Sequence, residues 1–188
     1  MRKTTRYALA AALTLVAVPL AGQNFSESFQ FLKAIRDRNA QKVQEIASRP
    51  NPAVINTRDS SSGEGALHIL VRGRDLTWLR FLLSRGARPD LAANDGTTPL
   101  ILAAQLGWID GAEALIARGA NVNLGNRGGE TPLIMAVQGG NLPMVRMLLA
   151  QGADPDQTDN VSGNSAVDYA RQDRRLSAIL RELETPRR

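Results

Sequence analysis

Few side chains in this chain could perform chemistry. It has one histidine, His68, and no cysteine, and its carboxylates are scattered through turn-like segments. Asp154, Asp156 and Asp159 lie close together, but they lack the spaced acidic ligands and the central glycine of a calcium loop. The glycine-rich stretch GNRGGET at 125–131 is not followed by the Lys-Ser or Lys-Thr of a phosphate-binding loop. The sequence therefore predicts no catalytic site, no metal site and no cofactor.

A dense local signal instead combines a turn with a helix start. In NDGTTPLILAAQLG, residues 94–107, Asn-Asp-Gly favours a tight turn with a residue at positive φ. Thr98 and Pro99 then predict a helix N-cap followed by proline at the first helical position. The pattern returns as GGETPLIMAVQGG at 128–140, and in weaker form as GEGALHILVRG at 63–73 and SGNSAVDYARQ at 162–172.

A second signature follows the same period. Gly86, Gly119 and Gly152 each follow an apolar helical run and are spaced by 33 residues, and a left-handed C-cap is expected at each. A fixed period containing turn, helix, turn and helix is typical of a stacked repeat array. The sequence resembles the ankyrin-repeat family: Thr-Pro-Leu opens two repeats, Gly-Ala closes three, and Leu67-His68 keeps the family's histidine.

This resemblance implies an all-α fold, an ankyrin-repeat solenoid of stacked helix-turn-helix units joined by β-turn fingers. It also implies that His68 is structural, bridging neighbouring turns by hydrogen bonds. We divide the chain into a signal peptide at 1–22, an N-terminal capping repeat at 23–58, three repeats at 59–93, 94–126 and 127–160, and a C-terminal capping repeat with its tail at 161–188.

The first 22 residues have the pattern of a secretory signal peptide. Arg2, Lys3 and Arg6 precede an apolar stretch that ends in small residues near Gly22 and is too short to span a membrane. Removing them leaves 20 of the 23 basic residues against 18 acidic ones, a net charge of +2, which makes a poor nucleic-acid binder. We expect an exported protein, periplasmic if the source is a Gram-negative bacterium, with no membrane span after cleavage. An envelope-tethered structural protein with an uncleaved segment is the alternative.

In ankyrin-like repeats the turn tips and the ends of the inner helices line a concave groove. Positions there that neither pack nor cap are free to be selected by a partner, and long amide or guanidinium groups can donate hydrogen bonds to it. The expected partner-binding residues on the inner helices, here called the groove row, are Arg36, Arg72, Gln105, Gln138 and Gln172. Those at the tips, here called the tip residues, are Glu64, Asn94, Asp95, Thr97, Arg127 and Glu130. The sequence thus predicts a monomeric protein–protein interaction module, not an enzyme, with an unidentified protein partner.

Three features leave alternatives open. Trp78 and Trp108 interrupt the repeat pattern, as core residues or as contacts. Val161 is expected to be exposed at a finger tip, either as a contact or as a harmless insertion, because the turn at 158–163 holds one extra residue. The C-terminal end is rich in arginine, which suggests either a solvated capping helix or a binder of anionic glycan or lipid.

Overall fold

A computed structural model of the chain describes residues 21–49 and 52–185. The predicted signal peptide lies outside this part, except for Ala21 and Gly22, where the first helix begins. The helices are α1 (Ala21–Arg36), α2 (Ala40–Ala47), α3 (Pro52–Ile55), α4 (Ala66–Arg72), α5 (Leu76–Ser84), α6 (Pro99–Gln105), α7 (Ile109–Ile116), α8 (Pro132–Gln138), α9 (Leu142–Ala150), α10 (Ala166–Gln172), a 3-10 turn (Arg174–Leu176) and α11 (Ser177–Glu184).

These helices form two stacked layers. In the inner layer α1 packs on α4, α4 on α6, α6 on α8 and α8 on α10, while in the outer layer α5 packs on α7, α7 on α9 and α9 on α11. Within the described residues, the only strand-like pairings are isolated bridges, Arg58 with Gly65 and Thr158 with Ser165. The predicted all-α solenoid is confirmed. No helix of the described part is long and apolar enough to cross a bilayer.

The inner helices begin where the sequence predicts. Thr98 precedes Pro99, and its hydroxyl accepts a hydrogen bond from the N–H of Ile101 at 3.2 Å. Thr131 does the same for α8. Small residues on α6 then allow the inner helices to approach closely: Ala103 and Ala104 are buried in the continuous core. The short helix α3 has no counterpart in the sequence prediction.

Four β-turn fingers connect the layers, each closed by a backbone hydrogen bond between its ends. They span residues 59–64, 93–97, 126–130 and 159–164. Gly96, in the second finger, has a φ of +86°, as the Asn-Asp-Gly motif predicts, and a Cβ there would lie 2.5 Å from the backbone nitrogen of Arg127. A glycine is thus required both for the left-handed turn and for the close approach of the next finger.

The first and last fingers are one residue longer than the two between them. The spacing of glycines in the sequence reveals the extra residue only in the last finger, because Gly63 and Gly96 keep the regular 33-residue spacing. An aspartate orders both tips: Asp59 accepts from the N–H groups of Ser61 and Ser62, and Asp159 from those of Val161 and Ser162. Hydrogen bonds led by the Ser61 hydroxyl and the Arg36 guanidinium hold the pKa of Asp59 well below its usual range.

Trp108 is a core residue, which settles one of the open alternatives. It is 7% exposed, stands at the N-cap of α7, and makes no side-chain cap hydrogen bond there. Its ring covers Gly111, where an added Cβ would overlap the ring atoms Cε3 and Cζ3. Trp78 is half-buried and packs edge-to-face on Phe81, with the ring centroids 5.1 Å apart.

The neighbouring outer helices reverse this arrangement of large and small residues. Each has a small polar N-cap whose side chain accepts from the N–H three residues later, and a large side chain at that later position: Asp75 with Trp78, and Asn141 with Met144. In α7 the ring of Trp108 fills the space that a large side chain at position 111 would occupy. Trp108 and Gly111 are therefore a matched pair.

We expect the substitutions Trp108→Asn and Gly111→Met to compensate each other. Trp108→Asn alone leaves a cavity and should lower the free energy of unfolding by about 3–5 kcal/mol. Gly111→Met alone overpacks against the ring and should cost about 1–3 kcal/mol. The double variant reproduces the pair found in α9 and should be more stable than the sum of the two losses by about 1–3 kcal/mol. Denaturant unfolding gives the free energy of unfolding of the wild type, the two single variants and the double variant. If the two single losses simply add up in the double variant, the pairing is contradicted.

Candidate functional site

His68 is a buried structural residue, as the resemblance implies. The N–H of Gly65 donates to its Nδ1 at 3.2 Å, and its Nε2 lies 2.9 Å from the carbonyl oxygen of Thr97 in the second finger. This pattern requires a neutral ring protonated on Nε2. Burial lowers the pKa of His68 below its ordinary value. Both ring nitrogens are thus occupied by the fold, and His68 has no free nitrogen to act as a base.

The groove row occupies the C-terminal residues of the five inner helices. Gln105, Gln138 and Gln172 end α6, α8 and α10, and all three are exposed. Across residues 21–49 and 52–185 their amides make no hydrogen bond. The three amides therefore form a series with unused donors and acceptors.

The two arginines of the groove row are already engaged. Arg36 Nη2 lies 2.7 Å from Asp59 Oδ2 in the first finger, and Arg72 is paired with Glu64 of the same finger. Both pairs join the end of an inner helix to a turn tip. The charges of the two arginines are thus balanced within the chain, whereas the three glutamine amides have no partner among the described residues.

Most of the tip residues also serve the fold. Asn94 Nδ2 donates to the carbonyl of Ser61 in the preceding finger at 2.9 Å, and Asp95 Oδ1 accepts from the N–H of Thr97 at 2.9 Å. Thr97 also supplies the carbonyl that faces His68, and Glu130 Oε2 accepts from the amide of Asn126 at 2.7 Å. Glu64, Asn94, Asp95, Thr97 and Glu130 thus have structural roles that the sequence analysis did not expect, and their part in partner binding stays a prediction. Hydrogen bonds within and between the fingers employ them.

Arg127 is the exception among the tip residues. Its backbone N–H donates to the carbonyl of Asp95 at 3.0 Å, which keeps the finger in the stack. Its exposed guanidinium makes no hydrogen bond or ion pair with the described part of the chain. Arg127 thus joins the three glutamines as a polar side chain that the fold leaves available.

An apolar strip beside the groove row was missed by the sequence reasoning. Ile69, Met135 and Tyr169 are half-buried and lie three residues before Arg72, Gln138 and Gln172 on the same helices, so they share a face with them. The corresponding residue of α6, Leu102, is buried. The i, i+3 spacing from the groove row was the signal that could have identified this strip.

The carboxylates near the last finger do not form a metal site. Asp154 accepts from the N–H of Asp156 at 3.0 Å, whereas Asp159 is turned inward and bonds to Ser162 and Tyr169. The Ser162 backbone N–H, with the Ser162 and Tyr169 hydroxyls, holds the pKa of Asp159 well below its usual range. Among the described residues no group of three or more potential ligands could hold a metal ion.

Much of the charge at the C-terminal end is paired within the chain. Arg171 Nη2 lies 2.8 Å from Glu184, Arg175 Nη2 lies 2.7 Å from Asp173, and Arg146 bonds to Glu182 through two nitrogens. Arg187 and Arg188 lie outside the described residues. This pairing fits a solvated capping helix, which must present a polar face at the end of the solenoid.

The stacked helices, the fingers and the buried bridging histidine define a class of protein, the helical repeat solenoid. A family model described as ankyrin repeats matches residues 31–126 and 67–159, in three copies. The two matches together span residues 31–159 of the 188, and the chain belongs to the ankyrin-repeat family. Ankyrin repeats are generally protein–protein interaction modules and are typically non-enzymatic.

We expect His68→Gln to change the pH dependence of stability as well as its magnitude. Because burial lowers the folded-state pKa of His68, the unfolded chain binds more protons as the pH falls through about 6.5, and the wild type loses stability there. His68→Gln should cost about 1–3 kcal/mol at pH 7.5, because it disturbs two buried hydrogen bonds. It should lack the histidine-linked loss, since the chain has only one histidine.

Urea unfolding of both proteins at several pH values measures this effect. The stability gap between wild type and His68→Gln should narrow as the pH falls. A gap that stays constant from pH 7.5 to 5 would show that the pKa of His68 is the same in both states.

Proposed function

We propose that this chain is a binding protein that holds a segment of a partner protein in its concave groove. The observation that carries the proposal is the series of exposed amides at Gln105, Gln138 and Gln172, whose polar atoms have no bond within the described residues. Equivalent positions of successive repeats present them, beside the apolar strip of Ile69, Met135 and Tyr169. Alternating donors and apolar surface suit an extended polypeptide, which offers backbone carbonyls and side chains together.

The rigidity of the fingers supports this function. Backbone hydrogen bonds join each finger to the next: Asn94 N to Ser62 O at 2.9 Å, Arg127 N to Asp95 O at 3.0 Å, and Asn160 N to Gly128 O at 2.7 Å. A surface ordered before the partner arrives loses little conformational entropy on binding. A protein with such a groove is suited to act as a scaffold, a protector or an inhibitor of its partner.

Site-directed photocrosslinking tests where the partner binds. A photoreactive phenylalanine analogue replaces Gln105 or Gln138 in the groove, and as matched controls Arg80 or Glu113, which are exposed on the outer helices α5 and α7. We expect crosslinked protein adducts in native cells from the two groove positions and background levels from the outer ones, because contact requires proximity. Adducts arising equally from all four positions, or only from the outer helices, would refute groove binding.

We further propose that the protein works after export. The support is the signal-peptide pattern of residues 1–22, together with the position of the buried side chains of α1. Among the described side chains of this helix, residues 27–36, these are Phe31, Leu32, Ala34 and Ile35, so cleavage near residue 22 keeps all four. The ion pair between Arg49 and Glu27, at 2.6 Å, would also remain.

N-terminal sequencing of the protein recovered from its native cell checks this proposal. We expect the recovered chain to begin near Gln23 and to be released with the soluble envelope fraction. A chain that begins at Met1 and stays with the membrane would favour the envelope-tethered structural protein instead.

A further inference from the structure

The third finger departs from the pattern that its neighbours share. At the equivalent position of the second and fourth fingers, an asparagine donates its Nδ2 to a carbonyl 33 residues earlier: Asn94 to Ser61 at 2.9 Å and Asn160 to Arg127 at 3.3 Å. Arg127 keeps the backbone bond of this position but forgoes the side-chain bond. The fold accepts asparagine here and gains a hydrogen bond from it, so the arginine is not explained by stability.

Arg127 also stands apart from the other cations of the inner helices and fingers. Each of those has a partner within the chain: Lys33 with Asp37, Arg36 with Asp59, Arg58 with Gly63 and Asn94, Arg72 with Glu64, and Arg171 with Glu184. The carboxylates of its own and the preceding finger, Glu130 and Asp95, are held by Asn126 and Thr97. Among the cations of the inner helices and fingers in the described structure, Arg127 is the one without an internal partner.

Beside Arg127 lies the most exposed large apolar residue among the described side chains. Val161 is 85% exposed at the tip of the fourth finger, and its Cγ2 lies 3.7 Å from where a Cβ on Gly128 would be. The first finger has the same length and the same aspartate-ordered tip, yet it carries Ser61 at the equivalent position. The fold therefore does not require valine here either. Asp159 accepts from the Val161 N–H at 2.8 Å and so orders the backbone that presents this side chain.

We propose that Arg127 and Val161 form the anchoring contact for the partner, and that they recognise a segment in which an acidic residue adjoins an apolar one. The guanidinium donates a charge-assisted hydrogen bond to the carboxylate of the partner, and the valine packs against the partner's apolar side chain. This inference rests on the proposed function and adds the chemistry of the partner. At the equivalent positions other fingers carry asparagine or serine, and the fold accommodates both. Folding therefore requires neither the arginine nor the valine.

To test this, each residue is replaced by the one that occupies the equivalent position in another finger. Arg127→Asn can donate to the carbonyl of Asn94, as Asn160 does to Arg127, so its melting temperature should be unchanged or raised by a few degrees. Val161→Ser reproduces the first finger and should leave the melting temperature unchanged. Arg118→Asn, on the outer side and also without an ion pair in the described part, is the matched control.

The ligand probe is a display library of random dodecapeptides selected on the immobilised chain from residue 23. We expect enriched peptides to share an Asp or Glu next to a large apolar residue. Binding of one enriched peptide, measured by fluorescence anisotropy, should weaken at least about tenfold with Arg127→Asn and about three- to tenfold with Val161→Ser, while Arg118→Asn binds like the wild type. Loss of binding without loss of stability would assign these residues to recognition.

The other outcomes separate the inference from the proposed function. If the enriched peptides lack an acidic residue, or if Arg127→Asn leaves binding intact, the proposed anchoring contact is wrong. Groove crosslinks at positions 105 and 138 would still support the proposed function. If no peptide is enriched, or if phosphatidylglycerol vesicles bind in place of peptides and lose binding with Arg127→Asn, the acidic-peptide anchor is overturned. Both proposals fail if the groove crosslinks are absent as well.

Discussion

The structure depends on one constraint: no repeat can bury its own apolar face, so each helix pair must be covered by the next. The core is accordingly one continuous cluster that extends from Phe31 on α1 to Leu183 on α11. A constant repeat distance follows, because helices, fingers and bridging residues must all advance by the same step. Alanines such as Ala103 and Ala136 set this step in the inner layer, since larger side chains would separate the stacked helices.

The fingers satisfy the same step with polar groups. A buried histidine, asparagine amides and backbone N–H groups link each finger to the next, so that polar residues at exposed turns act as structural elements. This use removes them from the set of free contacts. Among the groove-row and tip residues, those without a partner in the described part of the chain are Gln105, Gln138, Gln172 and Arg127, and beside them Val161 is the most exposed large apolar side chain. In a solenoid, the equivalent residues of neighbouring repeats can be compared, and where another residue also fits the fold, folding alone does not require the one that is present.

Much of the fold could be predicted because its signals are local. Thr-Pro at a helix start and glycine after an apolar run depend on residues a few positions apart, and both occur in the structure where expected. The positions of Gln105, Gln138 and Gln172 followed from register alone. Trp108 could not be assigned in this way, since its burial depends on the absence of a side chain at Gly111. No general sequence pattern predicts this pairing of a large residue with a glycine.

The sequence by itself determined the period, the Thr-Pro starts of α6 and α8 and the exposure of Val161, because each of these arises from short-range chemistry. The bridging role of His68 was implied by the resemblance to the ankyrin-repeat family. Only the tertiary structure decided which polar side chains are free. Arg36 reaches Asp59, Arg72 reaches Glu64, and Asn94 reaches Ser61 across separations that a sequence pattern does not encode. Whether a long side chain meets a partner depends on the distance between fingers and helix ends, and that distance is set by the packing of neighbouring repeats.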